Sequence, residues 1–147
     1  MDRRKGTRRW ARGFTLIEVI VIVTIIGILA AVIAPRILSR IGDANVSAAR
    51  SGASTLKTAM DLYIVDNGMP PAGATLDILW QRPSGADETR WREPYVNTQR
   101  DLIDPWGNPY VLEIPGRGGA SFSIVSYGAD GRPGGEGSDA DIVVPAP

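Results

Sequence analysis

Gly13-Phe14-Thr15-Leu16-Ile17-Glu18 opens the stretch G-F-T-L-I-E-V-I-V-I-V-T-I-I-G-I-L-A-A-V-I-A, residues 13–34, in which Glu18 is the only charged side chain. A helix rises about 1.5 Å per residue, so Phe14 to Ala34 reaches roughly 31 Å, near the hydrocarbon thickness of a bilayer. Arg3, Arg4, Lys5, Arg8, Arg9 and Arg12 precede it. Basic residues stay on the cytoplasmic side, which predicts a single pass with everything after the span facing outward. An ordinary secretory signal carries its cleavage site after the apolar core. Here the small residue, Gly13, lies before that core. Three segments follow: a basic leader, 1–13; a transmembrane helix, 14–35; and a head, 36–147.

Glu18 is out of place in such a run. An isolated carboxylate in an apolar medium is unfavourable by several kcal/mol unless it is paired or protonated. A cut after Gly13 would place a new amine about one turn away. Two readings stand on the residues alone: Glu18 pairs with an amine, or it snorkels to the headgroups.

Pro35 lacks an N–H and crowds the preceding turn, so the sequence predicts a kink or local melting there. Gly42-Asp43 predicts a second weak point, with Asp43 capping a renewed helix. Beyond it Val46, Ala49, Ala53, Leu56, Met60 and Tyr63 recur at spacings of three and four, an apolar stripe that needs a cover. Asp66-Asn67-Gly68 followed by Pro70-Pro71 predicts the helix end.

Residues 69–102 are rich in Pro, Gly and charge, with one apolar cluster at Leu76, Ile78, Leu79 and Trp80, and predict a loop carrying a helical turn or two. Tyr110–Ile114 and Phe122–Tyr127 predict a hairpin around Pro115-Gly116-Arg117-Gly118-Gly119, and Ile142–Val144 offers a third strand. The fold class is therefore α+β, with a long N-terminal helix whose second half packs on a small antiparallel sheet.

The 147 residues contain neither Cys nor His. That removes thiol nucleophiles, disulfides and the commonest base and metal ligand. Beyond the leader the only lysine is Lys57, so catalysis has few candidate groups and no enzyme is expected. The formal charge of zero is also divided unevenly, because residues 14–147 hold 10 basic and 15 acidic side chains. An acidic head is a poor partner for a phosphate backbone, so no nucleic acid is expected.

The segment after Tyr127 reads Y-G-A-D-G-R-P-G-G-E-G-S-D-A-D-I. Its acids and five glycines suit a hard, flexible oxygen shell of the kind calcium takes, but match no EF-hand. A solvated acidic turn is the alternative.

Three motifs point one way. The basic leader with G-F-T-L-I-E at 13–18 resembles the type III signal of prepilins and pseudopilins. D-L-Y-I-V-D-N-G-M-P at 61–70 and D-P-W-G-N-P-Y at 104–110 resemble the major pseudopilin of type II secretion systems. Read physically, the latter is a corner stiffened by Pro105 and Pro109, relaxed by Gly107, with Trp106 as a plug for the helix–sheet core. The resemblance covers about Thr7 to Ile142, and departs between Pro71 and Trp91 and in the closing V-V-P-A-P.

That resemblance implies cleavage after Gly13 by a prepilin peptidase, methylation of Phe14, and a Glu18 that meets the freed amine of a neighbouring subunit during assembly. It implies a homopolymer with other copies and minor pseudopilins, resting on an inner-membrane secretion platform, with the head in the periplasm. It also implies calcium in the C-terminal loop, held by Asp130, Asp139 and Asp141 with the carbonyls of Tyr127 and Arg132; which of Asp139 and Asp141 is principal stays open. A surface type IV pilin and a monomeric membrane-anchored binding protein are the alternatives. The missing C-terminal Cys pair and the D-P-W-G-N-P-Y corner argue against the pilin.

Overall fold

The computed structural model describes residues 13–85, 89–91 and 94–146. Apart from Gly13, the leader assigned to 1–13 lies outside them. The chain divides into two compact units, Met1–Leu38 and Ser39–Pro147.

The first unit contributes the start of helix α1, Leu16–Asn67. Its apolar stretch Leu16–Ala34, 19 residues long, is exposed throughout. At about 1.5 Å per residue that is roughly 28 Å of greasy helix with no protein cover, a length suited to a bilayer core. The helix continues through Pro35, where the sequence predicts local melting. A proline removes a single rung from the ladder, and one missing rung has not ended a helix of 52 residues.

In the second unit α1 also runs unbroken through Gly42 and Asp43, so Asp43 caps nothing. Gly42 serves tertiary contact instead: a Cβ built there would lie 2.6 Å from Ser138 Oγ. The predicted stripe faces inward, with Ala49, Ala53, Leu56, Met60 and Tyr63 buried and Val46 half-buried. The helix ends at Asn67, where Gly68 turns to φ 86° and its N–H donates to the Ile64 carbonyl at 2.8 Å.

Three short strands cover the stripe: β1, Val111–Glu113; β2, Ser123–Ser126; and β3, Ile142–Val144. They form an antiparallel sheet in the order β1-β2-β3. The register aligns Leu112 with Ile124 and Ile124 with Val144 on the face that meets the helix. Val111, Val125 and Val143 alternate onto the outer face.

Among the described residues of the irregular stretch between helix and sheet, Leu76–Leu79 and Gln99–Leu102 form 3-10 turns. Tyr95 pins it. Its N–H donates to the Leu79 carbonyl at 2.8 Å, and its hydroxyl donates to Asp66 Oδ2 at 3.0 Å while accepting from Asn67 Nδ2 at 2.8 Å. Tyr63 and Trp91 meet the Tyr95 ring edge-on. Nothing in the local composition of that stretch singles out Tyr95, because the partners of its hydroxyl lie on α1.

Candidate functional site

Gly13, Phe14 and Thr15 precede the helix as exposed, irregular chain, leaving the Gly13–Phe14 bond open to an enzyme. Thr15 and Glu18 then cap α1 reciprocally. The Glu18 N–H donates to Thr15 Oγ1 at 3.3 Å and the Thr15 N–H donates to Glu18 Oε2 at 3.4 Å. This capping box satisfies two of the orphan donors of the first turn. Glu18 therefore stays exposed but oriented, in a shallow concavity shared with Gly13, Phe14 and Thr15. The T-x-x-E spacing at residues 15–18 was the available signal for Thr15.

In the head, the corner at residues 104–110 is organised by its first residue. Asp104 is buried, and its Oδ1 accepts from the N–H groups of Trp106 at 3.1 Å and Asn108 at 2.8 Å. Its Oδ2 accepts from Ser126 Oγ at 2.7 Å, which ties the corner to β2. Asn108 Nδ2 donates to the Gly128 carbonyl at 2.8 Å, holding the start of the C-terminal loop. Trp106 does not plug the core. It is half-buried at the tip of the turn, and the buried aromatic is Tyr110, whose hydroxyl donates to the Ala49 carbonyl at 3.0 Å.

The C-terminal loop winds tightly on its glycines. The Ala129 N–H donates to the Ser138 carbonyl at 2.9 Å. Gly128 and Gly135, both at positive φ, back onto the Asp139 main chain, where a Cβ on either would sit 2.6 Å from its nearest atom. Asp130 Oδ1 accepts from the Arg132 N–H at 3.0 Å within its own turn, and the carboxylates of Asp130 and Asp139 face solvent.

Asp141 has different company. Its Oδ1 accepts from the Gly134 N–H and its Oδ2 from Arg117 Nη1, both at 2.9 Å. Arg117 also grips Glu113 with two parallel bonds of 2.8 Å, Nε to Oε2 and Nη2 to Oε1, and the Tyr127 hydroxyl donates to Glu113 Oε1 at 3.3 Å. The Arg117 fork holds the Glu113 carboxyl below the usual carboxylate range. Burial, with the Glu113 charge beside it, pushes the Tyr127 hydroxyl up. Tested against calcium, the five expected donors divide. Asp130 and Asp139 are hard, exposed carboxylates, and the carbonyl-bearing residues Tyr127 and Arg132 bracket the first turn; Asp141 is already engaged by two donors. Among the described residues no three acidic side chains gather as a ready cation site.

A family model for protein G of the type II secretion system matches residues 36–145, and the prokaryotic N-terminal methylation motif matches residues 11–34. The type II secretion system core protein G of Pseudomonas aeruginosa is 41% identical over 138 residues, covering 92% of this chain and 95% of that one. Its counterpart in Vibrio cholerae is 39% identical over 132 residues, covering 88% of each. Among solved structures, the major pseudopilin from the type 2 secretion system of enterohaemorrhagic Escherichia coli matches with a TM-score of 0.59 and 28% identity, over 71% of this chain and 86% of that one.

Proposed function

The chain belongs to the type II secretion system protein G family, and we propose that it works as the repeating subunit of a pseudopilus, supporting export of folded proteins across the outer membrane. The observation that carries this reading is the N-terminal geometry. A capped, exposed carboxylate stands one turn behind an accessible Gly13–Phe14 bond, at the head of a fully exposed apolar helix. In a bilayer that helix anchors the subunit singly, with the basic leader retained inside and the head in the periplasm. In a fibre the same apolar surface meets other copies, and Glu18 meets the freed amine of a neighbour. Prepilin peptidase is the processing partner, and minor pseudopilins and an inner-membrane platform complete the assembly. The role is structural.

Calcium belongs to this proposal through Asp130 and Asp139 with the Tyr127 and Arg132 carbonyls. Its chemistry there is charge neutralisation of an acidic, glycine-rich loop.

The test begins with mass spectrometry of the chain recovered from secreting cells, expected to start at an N-methylated Phe14. Glu18→Gln should insert and be processed normally yet lose most of its fibre yield, since removing a charge eases insertion and any defect must arise in assembly. A mature start beyond Ala31, or normal fibres from the variant, would overturn the reading.

A further inference from the structure

The outer face of the sheet carries an ion cluster that the assembly function does not use. Arg117 sits in the turn between β1 and β2, and its main chain is fixed by an N–H bond to Oγ of the fully buried Ser123 at 2.9 Å. Its three outer nitrogens are all engaged, two by Glu113 and one by Asp141. The Asp141 side chain is only 16% exposed and both of its oxygens accept bonds. The β2–β3 ladder aligns Ser126 with Ile142, so Asp141 stands one position before the first paired residue of β3.

We infer that Arg117 is the resident cation of the C-terminal loop, clamping Asp141 to Glu113 so that the end of the loop is anchored without metal and Asp141 stays outside any calcium shell. A forked guanidinium matches two carboxylates in a geometry that an ammonium cannot reproduce. Recruiting Asp141 to a metal would break its bond to Arg117, bring a second cation beside the guanidinium, and release the Gly134 N–H that Asp141 also holds. Asp130 and Asp139 carry no such commitment to a basic side chain. The clamp is independent of the calcium proposal, and only the division of ligands rests on it.

The experiment uses the full chain in detergent micelles and has two arms. In chelator, thermal midpoints are measured for wild type, Arg117→Met, Asp141→Asn and the double variant. Each single change should lower the midpoint by several degrees, and the double should fall no further than the worse single, because one interaction is being removed twice. Additive losses, or none, overturn the clamp. Arg117→Lys keeps the charge without the fork, so it should fold and show faster amide exchange over 134–142; unchanged exchange also counts against the clamp. In the second arm calcium is titrated calorimetrically. Arg117→Met and Asp141→Asn should leave Kd within about threefold of wild type, whereas Asp130→Asn with Asp139→Asn should raise it more than about tenfold. A tenfold loss from Asp141→Asn alone would return that residue to the metal shell. If wild type binds no calcium, the calcium proposal fails while the chelator arm still decides the clamp.

Discussion

Tyr110 reaches back 61 positions to donate to the Ala49 carbonyl, and it is 6% exposed. Burial, with the Asp104 charge nearby, pushes its hydroxyl up to about 12. An unfolded chain ionises tyrosine near 10, so below that pH both states are protonated and nothing is lost. Between roughly pH 10 and 12 the unfolded state sheds the proton first, and stability falls by at most about 2.7 kcal/mol for a two-unit shift. Urea midpoints collected from pH 8 to 12 should show this fall, and Tyr110→Phe should flatten part of it. Tyr63, Tyr95 and Tyr127 shift the same way and leave a residual slope. The corner is legible from its prolines and glycine, but its composition points to Trp106 as the inward aromatic. Strand alternation would have corrected this: Leu112 faces the helix, so Tyr110, two residues earlier, does too. Glu18 was legible because a lone charge in an apolar run demands a partner. Arg117 was not, because its partners Glu113 and Asp141 converge only when both sheet connections close.

At the scale of elements, α1 is the lesson in what local composition leaves out. Its stripe and its end can be read from spacing, but its unbroken length cannot, because Pro35 and Gly42 predict weak points that the helix runs through. Glycine lowers helix propensity, but its lack of a Cβ also lets another segment come close, and for Gly42 that segment is Ser138. Gly52 obeys the same logic beneath Tyr110, where an added Cβ would overlap the hydroxyl and lie 3.2 Å from Cζ. Gly52→Ala should gain about 1 kcal/mol of helix propensity and lose about 1–3 to overpacking, for a net destabilisation. Combining it with Tyr110→Phe removes the colliding oxygen. The two changes together should therefore destabilise less than the sum of the singles in denaturant titrations; strict additivity would mean that the ring does not rest on Gly52.

At the scale of the molecule, every buried core residue among the described residues belongs to the unit Ser39–Pro147. A fragment beginning at Ser39 is expected to be a soluble monomer with a cooperative thermal transition, read by circular dichroism and sedimentation. A fragment that melts gradually would mean that the head borrows stability from the apolar segment. The sheet has one further property. Its third strand, Ile142–Val144, is only three residues long, yet it covers one edge of the fully buried central strand. Without those three residues β2 would present a sticky, unpaired edge, a template for the strand of another chain. So short a strand thus acts as a selvedge, a narrow finished border that keeps the central weave from fraying into its neighbours.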